Sequence, residues 1–434
     1  MLIEEWHDRF GWMVGALVIM MVFAAMIAHF RSARSVQIVH VLGMAVGLGI
    51  GGLLFIPAVP RIVTALHQMI VARVPINTSG PFLVAAADVL LPSSSTNDAP
   101  ILVRLWYPAA DKPLGAANRP GSMIAHQRLD VLVEQRLATG VQEQFPLLLY
   151  APGNGALRDD SASTAAELAS HGYVIAAIDD VDLAPLPSDF VGDKPLPLVF
   201  DYSSEEVFGR FLQTGDSKVR REAKQALTVL DRLTACANVN WHTRVRFDQV
   251  GFFGFSFGGA VAAQAATWDP RIAAVANLDG TLFDRAATGA LKKPYIVFLT
   301  KEDIFPKPLE LQSPEPAKRY FAALMERDLR EEVGLANQRD GFGLRIRNSY
   351  HENLSDQAFS RRFFKTWFLV DPYRVKTIRD AYLLGFFDTY LRGMPSPLLT
   401  QAPSPFDEVE ILRADPYWLA AVQKSAPEAA AGPN

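Results

Sequence analysis

The sequence predicts an α/β fold, a mostly parallel central sheet with helices on both faces, preceded by a two-helix transmembrane hairpin. Three observations carry this expectation. From about residue 82 onward, short apolar runs alternate with helix-prone stretches, the pattern of strands buried on both faces. At residues 250–260 (VGFFGFSFGGA) an apolar run enters a glycine-flanked serine and then an alanine-rich stretch. Near the start, residues 11–28 and 36–60 carry no formal charge, and each is long enough to cross a hydrocarbon core as a helix.

The two spans are separated by RSARS, and Gly43, Gly47 and Gly51 give small-xxx-small spacings suited to close helix packing. The leading MLIEEWHDRF is acidic, which fits poorly with a cleaved signal peptide. Arg31 and Arg34 in the short loop favour that loop inside and both ends outside, against Arg61 and Arg73 close behind the second span, and the rest of the chain is expected on the extracytoplasmic side. Residues 61–74 read as an amphipathic stretch along the membrane surface. The expected division is 1–74 for hairpin and interfacial segment, 75–395 for the main domain, and 396–434 for an extension ending in a loose tail.

Residues 82–90 and 101–106 are expected to pair as strands, with Tyr107-Pro108 ending the second. Further strands are expected at 147–150, 174–178, 250–253, 273–277, 295–299 and 344–347. Helices are expected at 161–170, stopped by Gly172, and at 217–235, 257–268 and 316–333. In such a sheet a ligand site lies at the carboxyl ends of the strands.

The chain has 434 residues, 50% hydrophobic and 20% charged, with a formal charge of −4. It can bury a large core, and it lacks the basic stripe that nucleic-acid binding requires. One cysteine, Cys236, excludes an intrachain disulfide framework and any multi-cysteine metal site.

The run at 250–260 places Ser256 at the centre of a Gly-x-Ser-x-Gly elbow, where Gly254, Gly258 and Gly259 let neighbouring backbone approach without a Cβ clash. A serine hydroxyl is a weak nucleophile until a histidine takes its proton and a carboxylate orients that histidine. Of eight histidines, His7, His29, His40 and His67 lie in or beside the anchor. His171 sits at a helix end, where a histidine commonly meets terminal carbonyls, and His126 and His242 precede strand regions. Only His351, in GLRIRNSYHENLSD, follows a late strand downstream of the serine, as the order serine, acid, histidine demands. Two acids compete on spacing alone, Asp279 in NLDG and Asp303 in TKED. Asp179, Asp180 and Asp182 fall on the wrong side of that order and read as a pocket rim or solvated turn. The backbone N–H of Phe257 and that of Asn154, in the glycine-bearing loop YAPGNGALR, are the candidate donors for an oxyanion.

In this order, RLWYP, PLLLYAPGNGALR, LASHGYVIAAID, VRREAKQAL, VGFFGFSFGGA, NLDGTLF and SYHENLSD resemble the platelet-activating factor acetylhydrolases of the α/β-hydrolase superfamily, over roughly residues 100–360. The resemblance implies Ser256 as nucleophile, Asp279 rather than Asp303 as the acid, and His351 as the base. It also aligns Asn154 and Gly155 with the end of the family's His-Gly-x-Gly oxyanion turn, with Pro152 in the place of the histidine; at the elbow, Phe255 stands where a histidine is common. It implies hydrolysis of carboxylic esters, lipid-like or short-acyl phospholipid, with no metal or organic cofactor. The expected partners are that ester and the membrane lipids around the hairpin. A general esterase without phospholipid preference, a silent membrane-tethered binding domain and an acyltransferase are the alternatives.

Overall fold

The computed structural model describes residues 77–93, 100–110, 126–127, 129, 132, 137–138, 144–182, 198–236, 238–300, 304–360 and 370–412. The expected hairpin and interfacial segment lie outside the described residues, and among those described no helix is long and apolar enough to cross a membrane. The chain divides into two units, 1–70 with Val199–Asp201, and 71–198 with 202–434. Of the first, only Val199–Asp201 is described, an irregular segment whose Asp201 N–H donates to the Val199 carbonyl at 3.0 Å. The second unit holds everything that follows.

Its strands are β1 (Leu83–Leu91), β2 (Ile101–Ala109), β3 (His126–Gln127), β4 (Phe145–Ala151), β5 (Val174–Ala177), β6 (Val245–Phe255), β7 (Ile272–Leu278), β8 (Tyr295–Leu299), β9 (Gly341–Ile346) and β10 (Val409–Ile411). They form one sheet in the order β10-β9-β8-β7-β6-β4-β5-β2-β1-β3. The six strands from β5 to β9 run parallel, while β2 joins β5, and β10 joins β9, antiparallel. β10 falls within the expected C-terminal extension, so part of that segment edges the sheet.

β1 and β2 pair as expected, from Leu83 opposite Ala109 to Leu91 opposite Ile101. The second strand does not stop at Tyr107-Pro108. The Pro108 carbonyl accepts from the Ala138 N–H at 2.9 Å. Within a strand residue N–H and C=O point the same way, so the missing Pro108 N–H faces away from the β1–β2 ladder and breaks no bond in it.

Helices cover both faces. On one lie α2 (Glu205–Thr234), α3 (Phe257–Ala266) and α4 (Pro316–Ala336); on the other lie α1 (Ala162–Ser170) and α5 (Pro372–Arg392). Alternation along the strands feeds both cores: Leu147 and Leu149 of β4 point into the first, Leu148 and Tyr150 into the second. Burial of each such leucine stabilises by about 1.5–3 kcal/mol.

Two helices differ from expectation. α2 begins at Glu205 rather than Ser217, because Ser204 caps it by accepting from the Val207 N–H at 3.2 Å and Glu205 and Glu206 fill its first turn. α5 is not expected at all. It buries Val375, Ile378, Tyr382, Leu383, Phe386 and Phe387 at helical spacing, but Arg379 and Asp380 share that buried face and blur the apolar stripe.

Candidate active site

β6 runs directly into α3, and Ser256 is the single residue between them, at φ 53° and ψ −125°. A non-glycine residue held at positive φ stores about 1–3 kcal/mol of strain and persists only where its surroundings over-determine it. Here they do. The Ser256 N–H donates to the Leu278 carbonyl and the Ser256 carbonyl accepts from the Gly259 N–H, both at 2.9 Å. A Cβ on Gly258 would lie 2.0 Å from the Ala151 carbonyl oxygen, and one on Gly280 would lie 1.9 Å from the Ser256 carbonyl oxygen. Glycine is required at both places because backbone from three strand ends converges on this turn.

Asp279 follows β7 at φ 63°, its side chain 5% exposed. Its Oδ2 lies 2.7 Å from His351 Nδ1 and 3.5 Å from Thr300 Oγ1. His351 opens a short 3-10 turn, His351–Leu354, just past β9. The turn is locked by reciprocal bonds: the Tyr350 N–H donates to Asn353 Oδ1 and the Asn353 N–H to the Tyr350 carbonyl, both at 2.8 Å. The His351 ring lies 4.7 Å from that of Phe255, the residue before Ser256. The structure thus brings Ser256, Asp279 and His351 to the carboxyl ends of β6, β7 and β9. Asp303 lies outside the described residues. The His171 ring pairs with the carboxylate of Glu167, one helical turn before it, at 3.2 Å, while its backbone N–H donates to the Leu168 carbonyl at 3.1 Å.

The loop after β4 packs on the elbow: a Cβ on Gly153 would lie 3.4 Å from Ser256 Cβ. Residues 153–156 form a tight turn, with the Ala156 N–H on the Gly153 carbonyl at 3.0 Å. Among the described residues the backbone N–H groups of Asn154 and Phe257 have no acceptor; Phe257 opens a helix, where the first N–H groups have none within the helix.

What holds this loop is the acidic cluster after β5, and here the expectation of a solvated turn is corrected. Asp179 and Asp180 are buried. Asp180 Oδ2 accepts from the Gly155 N–H at 2.6 Å, and the Asp180 N–H donates to the Ala156 carbonyl at 3.2 Å. Asp179 accepts from the Arg158 N–H at 2.8 Å and pairs with its guanidinium at 2.5 Å, while Arg158 and Arg104 converge on buried Asp88. Lys218 of α2, also buried, lies 2.8 Å from Asp180, 2.7 Å from Asp182 and 2.8 Å from Glu222; Arg221 also reaches Asp182. An aspartate run after a strand reads as solvated only when its cations, here Arg158, 21 residues before Asp179, and Lys218, 38 residues after Asp180, are out of view. One signal existed: Phe211, Gly215, Lys218, Val219, Glu222 and Ala226 share the buried face of α2 at 3–4 residue spacing.

Burial pushes the Glu222 carboxyl up to about 8, with the Asp180 charge adding to it and Lys218 opposing it. A protonated Glu222 leaves two carboxylates, Asp180 and Asp182, against two cations, Lys218 and Arg221. Asp160, whose carboxylate faces the Gly153 N–H at 3.5 Å, is pushed by burial up to about 7.

A strained serine between strand and helix, followed by Asp279 and His351 at later strand ends of a mostly parallel sheet, defines the chain as an α/β-hydrolase. The solved structure titled ferulic acid esterase from Streptomyces cinnamoneus shares this fold, with a TM-score of 0.53, 23% identity, and coverage of 77% of this chain and 98% of that one. The family described as platelet-activating factor acetylhydrolase, isoform II, matches residues 118–391, and the chain belongs to it. Membership places it among the carboxylic ester hydrolases. The platelet-activating factor acetylhydrolase of Cavia porcellus is 24% identical over 326 residues, covering 65% of this chain and 69% of its own. Those of Canis lupus familiaris and Bos taurus are each 24% identical, covering 52% and 57% of this chain, which spans only about half of their length, 50% and 53%.

Proposed function

We propose that the chain is a membrane-anchored serine esterase acting through an acyl-enzyme on lipid-like esters with a short acyl group. The observation that carries the chemistry is the 2.7 Å contact of His351 Nδ1 with Asp279 Oδ2 beside the Ser256 elbow. With Nδ1–H donating to the carboxylate, Nε2 is the basic nitrogen. The Ser256 hydroxyl attacks the ester carbonyl carbon as His351 Nε2 takes its proton. The N–H groups of Asn154 and Phe257 hold the oxyanion. The C–O bond to the alcohol then breaks, and the alcohol leaves with the proton from His351. Water, deprotonated by the same nitrogen, attacks the acyl-serine and releases the acid, with Ser256 recovering its proton.

The short-acyl, lipid-like substrate rests on the family and on the names of its relatives. The anchor and the extracytoplasmic placement rest on the uncharged runs 11–28 and 36–60 and on Arg31 and Arg34 between them. An anchored site would meet amphiphilic esters where they concentrate. The test is turnover of a short-acyl phospholipid against a p-nitrophenyl ester by membrane fractions of wild type and Ser256→Ala. Loss of both activities in the variant supports the reading; full activity in Ser256→Ala overturns it. Hydrolysis of the simple ester alone would leave a general esterase, and activity in the soluble fraction would refute the anchor.

A further inference from the structure

We propose that Lys218 is a positioning residue for the two oxyanion donors, a role that rests on the reading of Ser256 as nucleophile. The donors come from different parts of the chain, Asn154 from the loop after β4 and Phe257 from the start of α3, and their spacing must be fixed before the oxyanion forms. Lys218 reaches both. Its Nζ lies 2.8 and 3.0 Å from the two oxygens of Asp180, whose Oδ2 accepts the N–H of Gly155, the residue after Asn154. The same Nζ lies 5.6 Å from the centre of the Phe257 ring, within cation–π range. The lysine is 1% exposed, so its charge is screened little by water and its partners stay put. A buried ion pair is weak evidence for stability, since apolar residues of similar volume often serve as well. Geometry that a planar carboxylate and an ammonium can impose on a backbone N–H is what an apolar pair cannot supply.

The test uses the full-length chain in detergent, with Lys218→Met and Asp180→Asn, a fluorophosphonate probe and a p-nitrophenyl ester. A structural role would lower the melting temperature and the number of labelled sites; a positioning role lowers turnover per labelled site. Removing one oxyanion donor outright lowers kcat by about 10²–10³-fold, and displacing donors should lower kcat per labelled site by about 10–100-fold, with KM within about twofold. Lys376→Met serves as control, because Lys376 pairs with Asp380 in α5 on the other face of the sheet; it should shift the melting temperature and leave per-site kcat unchanged. Should Lys218→Met fail to fold, Asp180→Asn, which keeps the side-chain volume, decides. A per-site kcat in Asp180→Asn within about threefold of wild type would overturn the proposal while Ser256 still labels. A wild-type chain whose Ser256 does not label removes the nucleophile reading, and the positioning role with it.

Discussion

Two turns at the carboxyl edge of the sheet carry aspartates after a buried strand, and they do opposite things. After β7, Asp279 sits at positive φ and presents one oxygen to a histidine whose side chain is 37% exposed. After β5, Asp179 and Asp180 are enclosed by Arg158, Lys218 and the backbone of the neighbouring loop. On the function proposed above, the first turn has a partner that gains and loses a proton in contact with substrate. The second is enclosed by cations and by backbone, so it holds the shape of the neighbouring loop. On that reading, strand ends of one sheet divide into reacting and supporting positions according to the partner that packing delivers.

The largest expected effect breaks the first turn. Ser256→Ala or His351→Ala should lower kcat by at least ~10³-fold on a p-nitrophenyl ester, and Asp279→Asn by ~10²–10⁴-fold, with the fold retained by circular dichroism. Activity of Asp279→Asn near wild type would move the acid elsewhere, with Asp303 as first suspect. Next, Gly258→Ala drives a methyl group into the Ala151 carbonyl. It should destabilise by more than ~3 kcal/mol in a urea titration, and a loss below ~1 kcal/mol would mean that the elbow relaxes freely.

The second turn is sharpened by pH. Glu222 is raised from 4.5 to about 8 in the folded chain, so the folded state binds the extra proton. Its contribution to stability is full below pH 4.5 and is lost as pH rises to about 8. Glu222→Gln should flatten that part of the melting-temperature profile; an unchanged slope between these pH values would assign the proton to another group. Asp160, raised to about 7, adds loss over a lower window, starting at 3.8. The smallest effect concerns Asn154→Ala, which keeps the backbone N–H: kcat should stay within about threefold, and a larger drop would point to the side-chain amide as the donor.

Much of the candidate site's geometry was legible in the sequence. The elbow could be read because strand, glycines and helix must be contiguous for a serine to stand clear of the sheet. His351 could be read by elimination, since only one histidine follows a late strand. Asp279 and Asp303 were equivalent by spacing, and the resemblance to known hydrolases, not periodicity, favoured Asp279. Lys218 was invisible as a partner of Asp180, because their contact spans 38 residues and depends on how α2 crosses the sheet. α5 was hidden for a related reason: a buried Arg379–Asp380 pair looks, one residue at a time, like a solvated face.

By itself, then, the sequence determined the alternating strands and helices, the nucleophile elbow and the downstream histidine, because local periodicity and steric demand are written in neighbouring residues. Only the tertiary structure put Asp279 in contact with the histidine, as the resemblance implied and spacing could not decide, and showed which aspartates are buried among cations. Burial and charge pairing are set by residues distant along the chain, and the same carboxylate is solvated, supporting or reacting according to what folding puts beside it.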